Sequence, residues 1–223
     1  MDDSGLAEPV KQPIGVLEPH VVLRADRFIV VDKPSGLLAV PGKGAANQWC
    51  VAAWARDRFP GATGPLIAHR LDMDTSGVMV LGLDEDAQRA LSRQFEARTV
   101  GKWYVAVVEG LLGSDEGTIT LPMRADIEHR PRQIVDHVHG REAETAWRVL
   151  ARLDGRTRVE LRPRTGRTHQ LRVHLAAIGH PILGDVLYGD SASAPRLMLH
   201  AERLEFDEPG TGRRVEVAAA APF

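Results

Sequence analysis

The chain has a single cysteine, Cys50, in 223 residues. That excludes an intrachain disulfide and any multi-cysteine zinc or iron–sulfur site, and leaves Cys50 as a small buried apolar residue. No apolar run approaches membrane-spanning length. The acidic start "MDDSGLAEPVKQPIG" lacks the basic and apolar regions of a secretory signal, so a soluble, cytoplasmic protein is expected. Net basicity is also missing: 28 basic residues face 30 acidic ones, a formal charge of -2, so any nucleic-acid site must be local. Lysine is scarce at four residues, and arginine supplies the rest. There is no Gly-rich dinucleotide fingerprint, GxxxxGK[ST] phosphate loop, HExxH or GxSxG, so the usual nucleotide-cofactor signals are absent. The histidines of "DHVHG" and "THQLRVH" invite a metal reading, but His169 and His174 are five apart on an expected helix and point to different faces. No metal site is expected.

What is present is enough for a sizeable core, with 43% hydrophobic residues, arranged as one large domain or two small lobes. Residues 1–20 carry Pro9, Pro13, Pro19, Gly5 and Gly15 without periodicity and read as a flexible tail. A buried strand is expected over Phe28–Val31, with a turn at Pro34 and Gly36 presenting Lys33. "NQWCVAAWARDRF" is helical in character. "GVMVLGL" is a buried strand, and "DEDAQRALSRQFEAR" an amphipathic helix with Ala87, Leu91 and Phe95 on one face. "GKWYVAVVEG" and "GTITLP" are strands, residues 143–163 form a hairpin around Asp154-Gly155, "TGRTHQLRVHLAAIG" is a turn entering a helix capped by Gly179, and "RLEFDEPGTGRRVEVAA" closes the chain as a hairpin. The irregular order of strands and helices predicts an α+β fold with a mixed sheet. From Arg124 to Arg172 twelve arginines face seven acids, either a solvated hairpin face or a phosphate-contacting arm.

Residues 69–77, "HRLDMDTSG", concentrate the chemistry. Apolar "PLIA" before and "VMVLGL" after suggest that this polar stretch is carried between buried strands, where unpaired carboxylates are costly. "LDMDTS" is similar to the DxDx[TV] loop of aspartyl-phosphate hydrolases, in which Asp72 and Asp74 would act with magnesium. His69 and Arg70 interrupt that pattern, however, and Ser76 stands where Thr or Val is expected. Taken together, "VVDKPSGLLAVPG", "HRLDMDTSG", "GKWYVAVVEG" and "RPRTGRTHQLRVHLAAIGHPILGDVLYG" resemble the RluA-type RNA pseudouridine synthases, in the order K-P-x-G, H-R-L-D-x-x-T-S-G, K-x-Y-x-A-x-V-x-G and T-G-R-x-H-Q-L-R-x-H. The resemblance runs from about Phe28 to the C-terminus. The length, the lack of an S4-type RNA-binding domain and the ending "PRLMLHAERLEF" resemble the branch that modifies a tRNA anticodon arm and a ribosomal RNA stem-loop.

The resemblance implies a catalytic domain over residues 21–223, a largely antiparallel central sheet with flanking helices, and an active-site cleft at the sheet's centre. It implies an enzyme that needs no cofactor, takes folded RNA as its partner and acts as a monomer. It assigns the essential carboxylate to Asp72, base stacking to Tyr104, and the cation that keeps Asp72 ionised to Arg167. Leu171 would pack on the other side of the base, and Arg70 would enter the RNA stack where the uridine has left. His69, Lys33, Arg172 and His174 would support the pocket or contact phosphates. The arginine-rich hairpin, Arg156 and Arg158 included, would lie along an RNA stem. Two other readings remain at this stage: a non-catalytic RNA-binding protein of the same fold, and a metal-dependent phosphohydrolase.

Overall fold

The computed structural model describes residues 17–223. Its strands are β1 (His20–Arg24), β2 (Phe28–Lys33), β3 (Ser76–Gly82), β4 (Gly101–Glu109), β5 (Glu116–Thr120), β6 (Met123–Ala125), β7 (Gln133–Val135), β8 (Glu144–Leu153), β9 (Arg156–Pro163), β10 (Leu199–Asp207) and β11 (Arg214–Ala218), and its α-helices are α1 (Val51–Arg58), α2 (Glu85–Glu96) and α3 (Gln170–Ala177). Nine strands form one sheet in the order β1-β2-β3-β10-β4-β9-β8-β5, with β11 paired to β10, while β6 and β7 make a separate ribbon. All pairings are antiparallel except β3 with β10. The fold is therefore α+β with a mixed, largely antiparallel sheet, as the order of elements predicts.

Strand periodicity explains the layers. Ile29, Val31, Met79 and Leu81 bury one face of β2 and β3 against Val51, Trp54 and Ala55 of α1. The alternating residues Phe28, Val30, Val78 and Val80 bury the other face against Leu91 and Phe95 of α2. Such strands, covered on both faces, must read as continuous apolar runs. A third cluster packs Leu171 and Leu175 of α3 on Ala106, Val108, Val159 and Leu161. Tyr104 touches both the α1 and the α3 clusters, so it stands where the two halves of the sheet meet.

Two expectations need correction. "PLIA" is not a strand: Leu66 has φ 63, and only an isolated bridge from Ile67 to Leu81 joins this segment to β3. The 69–77 stretch therefore enters from a loop and leaves into a strand. Of the expected 1–20 tail, residues 1–16 lie outside the described residues, but the Leu17 carbonyl accepts a hydrogen bond from the Trp49 indole (3.2 Å) and His20 already belongs to β1.

Gly77, at the end of the motif, is required by the parallel pairing it begins. Its φ is 117, and a Cβ there would lie 2.2 Å from the Ala201 carbonyl oxygen of β10. Gly77→Ala must push two buried strands apart, with an expected loss of roughly 3 kcal/mol or more. Chemical denaturation checks this, and an unchanged midpoint would contradict the close β3–β10 approach.

Candidate active site

Asp72 is presented by a turn closed by Thr75 N donating to Asp72 O (3.2 Å). The K-P-x-G segment pins that turn from behind. Lys33 is fully buried, and its ammonium donates to the carbonyls of Pro34 (3.0 Å), Leu37 (2.7 Å) and Met73 (2.8 Å). Ser35 Oγ donates to Asp74 O (2.6 Å) and Gly36 N to Met73 O (2.9 Å). Burial pulls Lys33 down to about 7, while Asp72 and Asp74 act to hold it up. Its three carbonyl contacts make Lys33 a tie beneath the turn.

Helix α3 brings the counter-charge. Arg172 Nη1 lies 3.8 Å from Asp72 Oδ2, and the same guanidinium grips Asp185 through Nε (2.8 Å) and Nη2 (2.6 Å), with both side chains buried. Asp185 also accepts from Leu187 N (2.9 Å) and Tyr188 N (3.1 Å). Those bonds and Arg172 hold its carboxyl below the ordinary range despite burial. The preceding Gly184, at φ 72, lets the chain pass the Arg196 carbonyl, which a Cβ would meet at 2.0 Å. The cation expected at Arg167 is thus supplied by Arg172. Arg167 precedes α3 and spends its Nε on the Glu142 carbonyl (3.0 Å), and its backbone N–H donates to the Gln170 side-chain oxygen (3.0 Å). Thr165 and Glu144 complete the Gln170 cage. The T-G-R-x-H-Q sequence therefore builds the turn that aims α3, and the arginine in the first turn of α3 reaches toward the carboxylate.

His169, at φ 54, caps the start of α3 and directs Nε2 to within 4.0 Å of Asp72 Oδ1. Tyr104 and Leu171 share one apolar cluster, where a base could be held between them. Burial first, and Asp72 second, raise the Tyr104 phenol, which stays protonated throughout the physiological range. Arg70 is exposed and has no hydrogen bond or ion pair among the described residues. On the other side of the turn, Met73 and Asp74 border an open cleft of about 800 Å³ that also includes Arg196 and His200.

His69 does not face this site. Its ring stacks on Phe95 (4.1 Å between centroids) and its Nε2 accepts from Val80 N (3.1 Å), so it fastens the motif to the α2 side of the sheet. His174 is enclosed between Thr145 Oγ1 (3.0 Å) and the Leu121 carbonyl (3.0 Å), and His200 between Ser76 Oγ (2.8 Å) and the Ala219 carbonyl (2.9 Å). Burial lowers all three, His69 to about 3. The unfolded chain then binds more protons than the folded one below the ordinary histidine value of about 6.5, so stability falls as pH drops through that point. The expected slope is up to about 1.4 kcal/mol per histidine per pH unit. Urea midpoints at pH 7.5 and 5.0 test this, and equal midpoints would contradict it.

Most hairpin arginines are paired within the protein. Arg148 and Arg162 meet Glu160, Arg152 meets Asp115, Arg164 meets Glu144, and Arg158 bonds the Phe223 carbonyl. Positive charge also gathers around Arg167 and Lys102: burial first, then Arg141 and Arg98, depress Arg167, and burial first, then Arg98, depresses Lys102. Among the described residues no group of three or more His, Cys, Asp or Glu could hold a metal ion. Reasoning from sequence weighed His169 only as a metal ligand and passed over Asp185 and Tyr188. Its available signal was the run "HPILGDVLYG", which contains the only tyrosine besides Tyr104.

Two solved human proteins share this architecture. RNA Pseudouridylate Synthase Domain Containing 1 superposes with a TM-score of 0.77 at 32% identity over 96% of this chain and 87% of its own. Domain Containing 4 gives 0.71 at 26% identity, over 91% and 88%. The fold is thus that of a pseudouridylate synthase. The family model for RNA pseudouridylate synthase matches residues 27–177. Among curated relatives, the dual-specificity RNA pseudouridine synthase RluA of Yersinia pestis is 47% identical over 91% of this chain and all of its own, and that of Escherichia coli K12 is 44% identical over 92% and 95%. The chain belongs to the RNA pseudouridylate synthase family and is an RNA pseudouridine synthase. No helix among the described residues is long and apolar enough to cross a membrane.

Proposed function

We propose that this enzyme isomerises one uridine in a tRNA anticodon stem-loop and one in a large-subunit ribosomal RNA stem-loop, with Asp72 as the essential carboxylate. Residues 21–223 act as one catalytic domain, as a cytoplasmic monomer without a cofactor. The reaction breaks the bond from C1′ to N1 of uracil, turns the base, and forms the bond from C1′ to C5. The C5 proton is lost and N1 gains one, so no net proton or electron is consumed. The observation that carries the reading is the placement of Asp72, backed by Arg172, beside the Tyr104 and Leu171 cluster.

Arg172 supplies the opposite charge beside the Asp72 carboxylate, the Tyr104 ring and Leu171 hold the extruded base, and the unpaired Arg70 fills the space left in the stack. Arg98, Lys102, Arg141 and Arg167 receive the phosphates. The neighbouring cleft has room for flanking nucleotides. Support for two RNA classes comes from the dual specificity named for the bacterial relatives. RNA carrying tritium at uridine C5 tests the reading. Stoichiometric tritium release is expected from both stem-loops, undiminished by a chelator. Release from neither RNA, or a magnesium-dependent liberation of phosphate, would overturn it.

A further inference from the structure

The enzyme's second tyrosine stands behind the catalytic turn. The Tyr188 hydroxyl oxygen is 2.7 Å from Gln133 N on β7 and 2.7 Å from His169 Nδ1. A backbone N–H can only donate, so Gln133 donates to the phenol oxygen; His169 Nδ1 is the one acceptor among the described residues within reach of the phenol proton, which therefore goes to it. A neutral imidazole that accepts at Nδ1 carries its proton on Nε2, the nitrogen that faces Asp72 Oδ1 at 4.0 Å. The ring has little freedom to turn away. Its backbone is left-handed at φ 54, and it lies edge-on to Tyr188, 5.6 Å between centroids at 74°. Tyr188 is itself flanked by the guanidinium groups of Arg172 (5.3 Å) and Arg132 (5.4 Å).

We propose that His169 is a positioning residue for Asp72: Tyr188 fixes it in the Nε2–H form, and this N–H with Arg172 on the other oxygen sets the carboxylate's orientation. The proposal rests on Asp72 being the reacting carboxylate. The charged and titratable groups around His169 are Asp72 and Asp74 from the turn, Arg172 from α3, and Asp185 and Tyr188 from the loop that follows. Burial disfavours the imidazolium, which would stand beside the Arg172 cation and clamp Asp72 as an ion pair rather than steady it as a neutral donor. Because Gln133 belongs to β7, the orientation of Asp72 also depends on how the β6–β7 ribbon is seated.

Single-turnover and steady-state kinetics on one stem-loop test this. His169→Leu is expected to lower kcat about 10- to 100-fold with little change in KM, the size usual when an orienting partner is removed. His169→Gln keeps an N–H at similar reach and should recover most of that loss, while removing the histidine ionisation from the acid limb of the kcat profile. Tyr188→Phe keeps the ring between its two arginines and should lower kcat in the wild-type background, yet cost nothing further in the His169→Gln background. Equal losses in Leu and Gln variants, a Tyr188→Phe cost that is the same in both backgrounds, or losses confined to KM would overturn the proposal. If His169→Leu does not fold, the Tyr188→Phe comparison decides. Retained turnover in Asp72→Asn would instead sink the reading of the site on which the proposal rests.

Discussion

Asp72→Asn is expected to reduce turnover by on the order of 10⁴ or more while leaving the protein folded and still able to bind RNA. The asparagine is nearly isosteric, and the bonds that hold the turn run through the backbone carbonyls of Asp72, Met73 and Asp74, none of which the substitution touches. Arg172 keeps its two bonds to Asp185, so no buried charge is orphaned. Removing a partly exposed negative charge beside the RNA should leave affinity equal or slightly tighter. Tritium release and filter binding on the same preparation separate chemistry from binding. Turnover within tenfold of wild type would remove Asp72 from the mechanism.

Asp185→Ala should be the most damaging substitution away from the reacting carboxylate. It leaves the Arg172 guanidinium, 2% exposed, without its bidentate partner. Breaking a buried pair in this way costs roughly 3–5 kcal/mol, a melting-temperature fall on the order of 10 °C for a chain of this size. The nearest remaining carboxylate for Arg172 is Asp72 at 3.8 Å. A tighter pairing there would make Asp72 a poorer nucleophile or base, so activity should fall beyond what instability explains, even when assayed well below the transition. A melting temperature within about 2 °C of wild type would mean that this pair does not support α3.

The fold was legible where local rules and burial agree. β2 and β3 are covered on both faces and had to be apolar runs. α2 announced itself through its one-sided apolar face, and the structure adds the Asp84 cap, which accepts from Ala87 N at 2.8 Å. The short β6 and β7 strands gave no such signal, because at three residues each they have too few alternations to show a period. β1, with an alternating half-exposed pattern at the sheet edge, was hidden by the prolines before it.

The site divided along similar lines. Residues that act from one short motif, such as Asp72, or from a strand centre, such as Tyr104, could be placed by resemblance. Which arginine of "TGRTHQLR" meets Asp72 depended on where α3 begins. That is settled by the Gln170 side chain closing the turn, a tertiary detail with no period in the sequence. Lys33 and His69 were expected to support the pocket or contact phosphates. Their bonds hold the loop from beneath, as buried polar groups must be held. The strand pairing between β3 and β10, 124 residues apart at Ser76 and His200, is likewise invisible to local reading.

The most direct measurement is a map of carbodiimide-dependent reverse-transcription stops in tRNA and ribosomal RNA from cells with and without this gene, and with wild type or Asp72→Asn added back. The account predicts that one or a few stops disappear with the gene, return with wild type, and stay absent with the asparagine variant. Stops that never change, or that the asparagine variant restores, would contradict it.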